Sequence, residues 1–83
     1  MNLNGEKMFV ILSKDHCTFC DTAKAMLEGR QIQYNELNIA SDKNKWIVYL
    51  MKKSGITTVP QVFNNKGVYI GGLTQLKEYL TNV

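Results

Sequence analysis

Apolar residues open the chain with one unbroken run and then change to a helical spacing. Met8–Leu12 is continuously apolar, which predicts a strand that is buried on both faces of a sheet. After a polar loop over residues 13–16, apolar side chains recur at the spacing of one helix face. They are Phe19, Ala23, Met26 and Leu27. We therefore expect a helix that begins at Cys17 and stops at Gly29–Arg30.

A second strand and a second helix follow with a weaker pattern. Residues 33–39 alternate between polar and apolar, which predicts a strand that is more exposed than the first and, in a βαβ unit, parallel to it. Ser41 is an expected N-cap, and Asp42 suits the first helical turn because its charge complements the helix dipole. Gly55 ends this helix. Its apolar stripe consists of Trp46, Ile47, Leu50 and Met51.

The last third of the chain predicts a hairpin and one more helix. Residues 61–63 and 68–70 are short β-type runs joined by a turn rich in Asn and Gly, so we expect an antiparallel pair. Gly71–Gly72 breaks the second run, and leucines mark one face of a final helix. The order β-α-β-α-β-β-α predicts one α/β domain over residues 1–83, with residues 1–6 as a loose N-terminal extension.

Composition narrows the class of function. Apolar residues make up 45% of the chain and its net charge is +3, as in an ordinary soluble domain. No apolar run is long enough to cross a bilayer, and the first residues lack the apolar stretch of a signal peptide. We therefore expect a cytoplasmic protein that does not bind membranes. Nucleic-acid binding would require a denser basic stripe with interleaved aromatic residues, so the lysines of residues 43–53 indicate a solvated helix face and no nucleic-acid binding.

Cys17 and Cys20 are the only cysteines, and they carry the candidate chemistry. In a reducing compartment a pair this close is a poor structural staple, because it cross-links almost no chain. Zinc requires four ligands, which two cysteines and one histidine do not supply, so we expect no metal. A Cys-x-x-Cys at a strand-to-helix junction within a βαβ unit indicates redox chemistry; a pair of inert core thiols is the alternative.

The start of the helix gives the two cysteines different roles. Its unpaired N–H groups, with Lys14 nearby and His16 adjacent, favour the thiolate of Cys17. We expect Cys17 to attack a disulfide, and Cys20 to resolve the mixed disulfide from inside the first turn. His16 is a bystander in this scheme, since a thiolate at a helix start needs no base.

The single proline and the double glycine each allow two interpretations. Base rates favour a trans Val59–Pro60 bond, whereas a cis bond would turn the chain and leave the backbone of Val59 free to pair with an extended peptide. Gly71–Gly72 is either a flexible turn or a close approach of backbone to a ligand. In the second case the N–H groups of the last helix, helped by the Thr74 hydroxyl, would hold a carboxylate.

Three motifs in order resemble the glutaredoxins over nearly the whole chain. They are Ser-Lys-x-x-Cys-x-Phe-Cys at 13–20, Thr-Val-Pro-Gln-Val-Phe at 58–63 and Ile-Gly-Gly-x-x-x-Leu at 70–76. The resemblance implies a thioredoxin-like fold, a four-stranded mixed sheet flanked by three helices, with a cis peptide before Pro60. It also implies glutathione-dependent reduction of protein disulfides and of glutathione mixed disulfides.

The same resemblance implies a role for individual residues. Cys17 would be the nucleophile that carries glutathione, and Cys20 the resolving thiol. Further positions match those that bind or flank glutathione in the family. They are Lys14, Phe19, Thr58, Val59, Pro60, Gly72, Leu73 and Thr74. The partners implied are glutathione and disulfide-containing or glutathionylated proteins, and we expect a monomer.

The chain departs from the family pattern in ways that leave alternatives open. Thr18 replaces the usual proline of the Cys-Pro-Tyr-Cys motif, Ile47 stands where many relatives carry a glutamine, and Thr74 lacks the frequent acid. The motif type is similar to viral and phage glutaredoxins that serve ribonucleotide reductase. One alternative is a dimer that binds an iron–sulfur cluster through Cys17 and glutathione. Another is a thioredoxin-type reductant, although such proteins usually carry tryptophan where His16 stands.

Overall fold

The structure, a computed structural model, describes residues 8–82 and follows the predicted order of elements. The strands are β1 (Phe9–Ser13), β2 (Tyr34–Asn38), β3 (Gln61–Phe63) and β4 (Tyr69–Gly71). The helices are α1 (Thr18–Gly29), α2 (Lys45–Lys53) and α3 (Leu73–Thr81). The expected extension over residues 1–6 lies outside the described residues. Within residues 8–82, no helix has the length and apolar character that a membrane span requires.

The strands form one mixed sheet in the order β2-β1-β3-β4. β1 pairs in parallel with β2, as the βαβ pattern predicts, and antiparallel with β3. β3 and β4 form the predicted antiparallel hairpin. The predicted four-stranded mixed sheet with three helices is thus confirmed, and β2 is the more exposed of the two parallel strands.

The two faces of the sheet are covered unequally. Side chains alternate along a strand, so Phe9 and Ile11 of β1 point to one face and Leu12 points to the other. The first face packs against α1 and α3, and this larger core contains Phe9, Ile11, Ala23, Leu27, Val62, Leu76 and Leu80. Among the described helices, only α2 packs against the second face, through Ile47 and Met51.

This unequal cover explains why only half of the apolar stripe predicted for α2 is buried. Of its four apolar stripe positions, Ile47 and Met51 are buried, but Trp46 is 60% exposed and Leu50 is 52% exposed. Within residues 8–82, this nine-residue helix has no neighbouring helix on its face of the sheet, so side chains beside its contact line stay in solvent. The predicted N-cap Ser41 precedes a separate 3-10 turn, Asp42–Asn44, and α2 begins only after that turn.

A polar tie fixes the end of β1, just before the cysteine loop. The hydroxyl of Ser13, a fully buried residue, donates to the Glu36 carboxylate at 2.5 Å, and the Lys24 ammonium lies 3.0 Å from the same oxygen. The hydrogen bond from Ser13 is the largest cause that lowers the pKa of Glu36, and the one from Lys24 is the next largest. The same bond to Glu36 raises the pKa of Lys24. The tie links β1, β2 and α1 at the edge where the loop departs.

Candidate functional site

Cys17 is the N-cap of α1, where it accepts a hydrogen bond from the helix. Its backbone is extended, and its sulfur lies 3.1 Å from the backbone nitrogen of Cys20, whose N–H donates to it. Cys17 and Cys20 are joined in a disulfide. Cys17 is partly exposed, whereas Cys20 is fully buried, so a substrate reaches the first sulfur and not the second.

The helix start stabilises negative charge on the Cys17 sulfur once the disulfide is reduced. The Cys17 sulfur accepts a hydrogen bond from a backbone N–H and lies at the positive end of a twelve-residue helix. Both features lower the free energy of the Cys17 thiolate relative to a thiolate in water. His16, in the loop before the helix, has a positive φ of 56°, and its side chain is exposed. The geometry therefore favours Cys17 as attacking and leaving group without a neighbouring base.

A groove beside Cys17 gathers nearly all the predicted glutathione positions. We call it the Pro60 groove; it measures about 460 Å³. Its lining consists of Phe19, Thr58, Val59, Pro60, Gly72, Leu73, Thr74, Gln75 and Lys77. The sulfur of Cys17 lies 4.0 Å from the carbonyl oxygen of Val59, so the groove and the reacting sulfur are adjacent. Lys14 is exposed and does not line the groove; its role in binding stays a prediction.

The floor of the groove is the segment that ends at Pro60. The Val59–Pro60 bond is cis, as the resemblance implies, and Pro60 is buried. Within residues 8–82, the N–H and C=O of Val59 make no hydrogen bond with another backbone group. Opposite this segment, Phe19 is 63% exposed and offers an aromatic face beside the disulfide.

Gln61 holds the groove floor in place, a role that the sequence did not predict. Its buried amide donates to the Thr58 carbonyl at 2.9 Å and contacts the Thr58 hydroxyl at 3.2 Å. The hydroxyl of Tyr69 donates to the Gln61 amide oxygen at 2.5 Å. Gln61 stands inside the Thr-Val-Pro-Gln motif, so its position was visible, but its partner on β4 depends on tertiary pairing.

The start of α3 forms the other wall of the groove. Gln75 turns back so that its side-chain oxygen accepts the N–H of Gly72 at 2.9 Å. The N–H groups that follow, those of Leu73 and Thr74, belong to the first turn and have no partner within the helix. The sequence also did not predict Gln75 and Lys77, both lining residues, because polar residues on the exposed face of a helix carry no local signal of a ligand site.

Within residues 8–82, no three His, Cys, Asp or Glu side chains cluster closely enough to hold a metal ion. The site presents a disulfide-bonded cysteine pair with one accessible sulfur, next to a groove with exposed backbone groups. Attack of a thiolate on a disulfide, with a second thiol in reach, is the chemistry that these groups support.

Comparison with known proteins points to one family. A family model described as Glutaredoxin matches residues 9–70. The hybrid peroxiredoxin hyPrx5 of Haemophilus influenzae is 39% identical over 69 residues, which are 83% of this chain but only 27% of that protein. Glutaredoxin 3 of Escherichia coli is 38% identical over 66 residues, 80% of this chain and 77% of the relative. The glutaredoxin of phage T4 is 36% identical over 72 residues, covering 76% and 83%.

Solved structures give the same result at the level of the fold. The structure of a buckwheat glutaredoxin–glutathione complex superposes with a TM-score of 0.79 at 26% identity, covering 96% of this chain and 74% of the other. Glutaredoxin 1 of Francisella tularensis, complexed with cacodylate, gives a TM-score of 0.74 at 30% identity, covering 90% and 93%.

Proposed function

The chain belongs to the glutaredoxin family, and on that premise we propose that it is a glutathione-dependent thiol–disulfide oxidoreductase acting through Cys17 and Cys20. The observation that carries the proposal is the accessible Cys17 sulfur, held at a helix start and adjoining the Pro60 groove. The buckwheat relative is described as a complex with glutathione, which supports glutathione as the ligand of the groove.

Reduction of a substrate begins at Cys17. Its thiolate attacks one sulfur of a disulfide, the S–S bond breaks, and one substrate half leaves as a thiolate that takes up a proton. The other half stays on Cys17 as a mixed disulfide. For a protein disulfide, the Cys20 thiolate then attacks the Cys17 sulfur, which releases the second substrate thiol and forms the Cys17–Cys20 disulfide of the structure.

Two glutathione molecules return the protein to the dithiol. The first attacks the exposed Cys17 sulfur and expels Cys20 as a thiol, leaving glutathione on Cys17. The second attacks the sulfur of that bound glutathione, releasing oxidised glutathione and the Cys17 thiolate. In this last step the backbone N–H of Cys20 stabilises the leaving thiolate, because its nitrogen lies 3.1 Å from the Cys17 sulfur.

For the cellular setting we propose a monomer that works in the cytoplasm. Its substrates would be glutathionylated proteins and protein disulfides. On the resemblance to phage glutaredoxins, ribonucleotide reductase is the protein substrate to test first. The similarity to the phage T4 protein supports this choice.

Two serine variants test the assignment of the cysteines. With a small glutathione mixed disulfide as substrate and glutathione as reductant, Cys17→Ser abolishes turnover, because the one remaining thiol, that of Cys20, is buried. Cys20→Ser retains deglutathionylation, which needs only Cys17, and loses reduction of an intramolecular protein disulfide. The two variants are matched controls for each other, since each replaces one thiol by a hydroxyl.

The choice of reductant tests glutathione dependence separately. Wild-type protein supplied with a thioredoxin reductase and NADPH, without glutathione, should reduce neither substrate. Turnover with that reductase alone, or full activity of Cys17→Ser, would contradict the proposed function.

A further inference from the structure

The Pro60 groove carries positive charge and no carboxylate. Of its lining residues, Lys77 is the only charged one, and none is acidic. Lys77 lies three residues after Thr74, so the two share one face of α3. Within residues 8–82, the Lys77 ammonium forms no ion pair with a carboxylate.

The acids closest in sequence to the site are directed elsewhere. The Asp15 carboxylate accepts a hydrogen bond from the Asn38 amide at 2.8 Å. Asp21, in the first turn of α1, lies 3.6 Å from the Lys24 ammonium. Glu78 follows Lys77 directly, and a one-residue step turns about 100° around a helix, away from the groove face. Among the described lining residues, a ligand in the groove therefore meets a cation and unpaired helix N–H groups, and no anion.

This charge pattern distinguishes between the ionic groups of glutathione. Carboxylates match the N–H groups at the start of α3 and the Lys77 ammonium. The single ammonium of glutathione has no carboxylate to pair with among the lining residues, and Lys77 repels it. Charge-assisted binding in this groove thus comes from the carboxylates, and the ammonium finds no ion pair among the lining residues.

We propose that Lys77 is a specificity-determining residue that selects thiols for their negative charge, so that the site accepts glutathione derivatives whose amine is acylated. The inference rests on the proposed function, because it concerns the ligand of the same groove. The substrate class is mixed disulfides of anionic thiol peptides, with no requirement for a free α-ammonium.

Two mixed disulfides measure the selectivity directly. One joins 2-mercaptoethanol to glutathione and the other joins it to N-acetylglutathione, which lacks the ammonium charge. For the wild type we expect kcat/KM for the acetylated substrate to equal or exceed that for the unmodified one. Lys77→Glu should lower kcat/KM for both through KM, by about threefold to tenfold, with the larger loss for the more negative acetylated substrate.

An added carboxylate should reverse the preference. Thr74→Asp places an anion on the same face of α3 as Lys77, and we expect it to shift the ratio of the two kcat/KM values at least about threefold toward unmodified glutathione. Lys52→Glu is the matched control, because Lys52 is an exposed lysine on α2, across the sheet from α3. It makes the same change in net charge and should leave the ratio unaltered.

The outcomes separate the inference from the proposed function. If wild type turned over the glutathione substrate but the acetylated one about tenfold more slowly, the inference would be overturned while the proposed function stood. The same holds if Lys77→Glu and Lys52→Glu gave the same ratio. Absence of turnover with both substrates would overturn the proposed function and the inference with it.

Discussion

Gly71, at the junction of β4 and the groove, is the position where one added methyl group should cost most. Its φ is +128°, a conformation that L side chains rarely adopt. A Cβ built there would lie 2.9 Å from both Cβ and Cγ of Gln75. Gln75 cannot swing away freely, because its side-chain oxygen holds the N–H of Gly72. Gly71→Ala therefore strains the backbone through its φ and, because Gln75 must move away from the added Cβ, also breaks that hydrogen bond.

The cost follows from these two terms. Backbone strain of this kind costs about 1–3 kcal/mol, and a lost hydrogen bond costs about 1 kcal/mol. We expect Gly71→Ala to lower the free energy of unfolding by about 2–4 kcal/mol, a large part of the stability of a domain this small. For a chain of this length the melting temperature should fall by roughly 10 to 25 °C.

Two other glycines separate the two terms. Gly67 has a φ of +81°, but a Cβ there would meet nothing within 4 Å, so Gly67→Ala reports backbone strain alone, about 1 kcal/mol. Gly29, at the end of α1, has neither feature, and Gly29→Ala should be neutral or stabilise by up to about 1 kcal/mol. The measurement is urea denaturation of the three variants. A Gly71→Ala cost no greater than that of Gly67→Ala would refute the close contact with Gln75.

Two further predictions concern polar ties around the site. The folded-state pKa of Glu36 lies below its ordinary value of 4.5, so its contribution to stability is present above that pH and is lost as pH falls through the folded pKa. Ser13→Ala should flatten this acid dependence of the unfolding free energy, measured by urea denaturation at a series of pH values. An unchanged dependence would refute the role of the hydroxyl. Tyr69→Phe leaves the buried Gln61 oxygen without its donor, so we expect a loss of about 1 kcal/mol and a higher KM for a glutathione mixed disulfide. Tyr49→Phe, on the exposed face of α2, is its control and should change neither quantity.

Local patterns predicted the elements because each pattern reports its own segment. The unbroken run at β1 and the helical spacing of α1 reflect burial that the segment itself requires. The exposure of Trp46 and Leu50 could not be predicted in this way. It depends on how many helices cover the α2 face of the sheet, which is a property of the whole topology. An apolar stripe indicates a face that can be buried, and only the tertiary fold decides whether a neighbour covers it.

The candidate site depends on strand pairing more than on any one motif. Because β3 runs antiparallel to β1, the end of β1 lies beside the start of β3, with Leu12 opposite Gln61. Because β4 is antiparallel to β3, its end returns to the same edge, with Gly71 opposite Val62. The cysteine loop, the segment before β3 and the start of α3 therefore meet at one end of the strands. In the chain, about forty residues separate the first two segments and about ten separate the last two. The hairpin was predictable from its turn, but its place next to β1 followed only from the family resemblance and not from any local pattern. That pairing brings the three motifs together, so that the Cys17 sulfur lies beside the Pro60 groove.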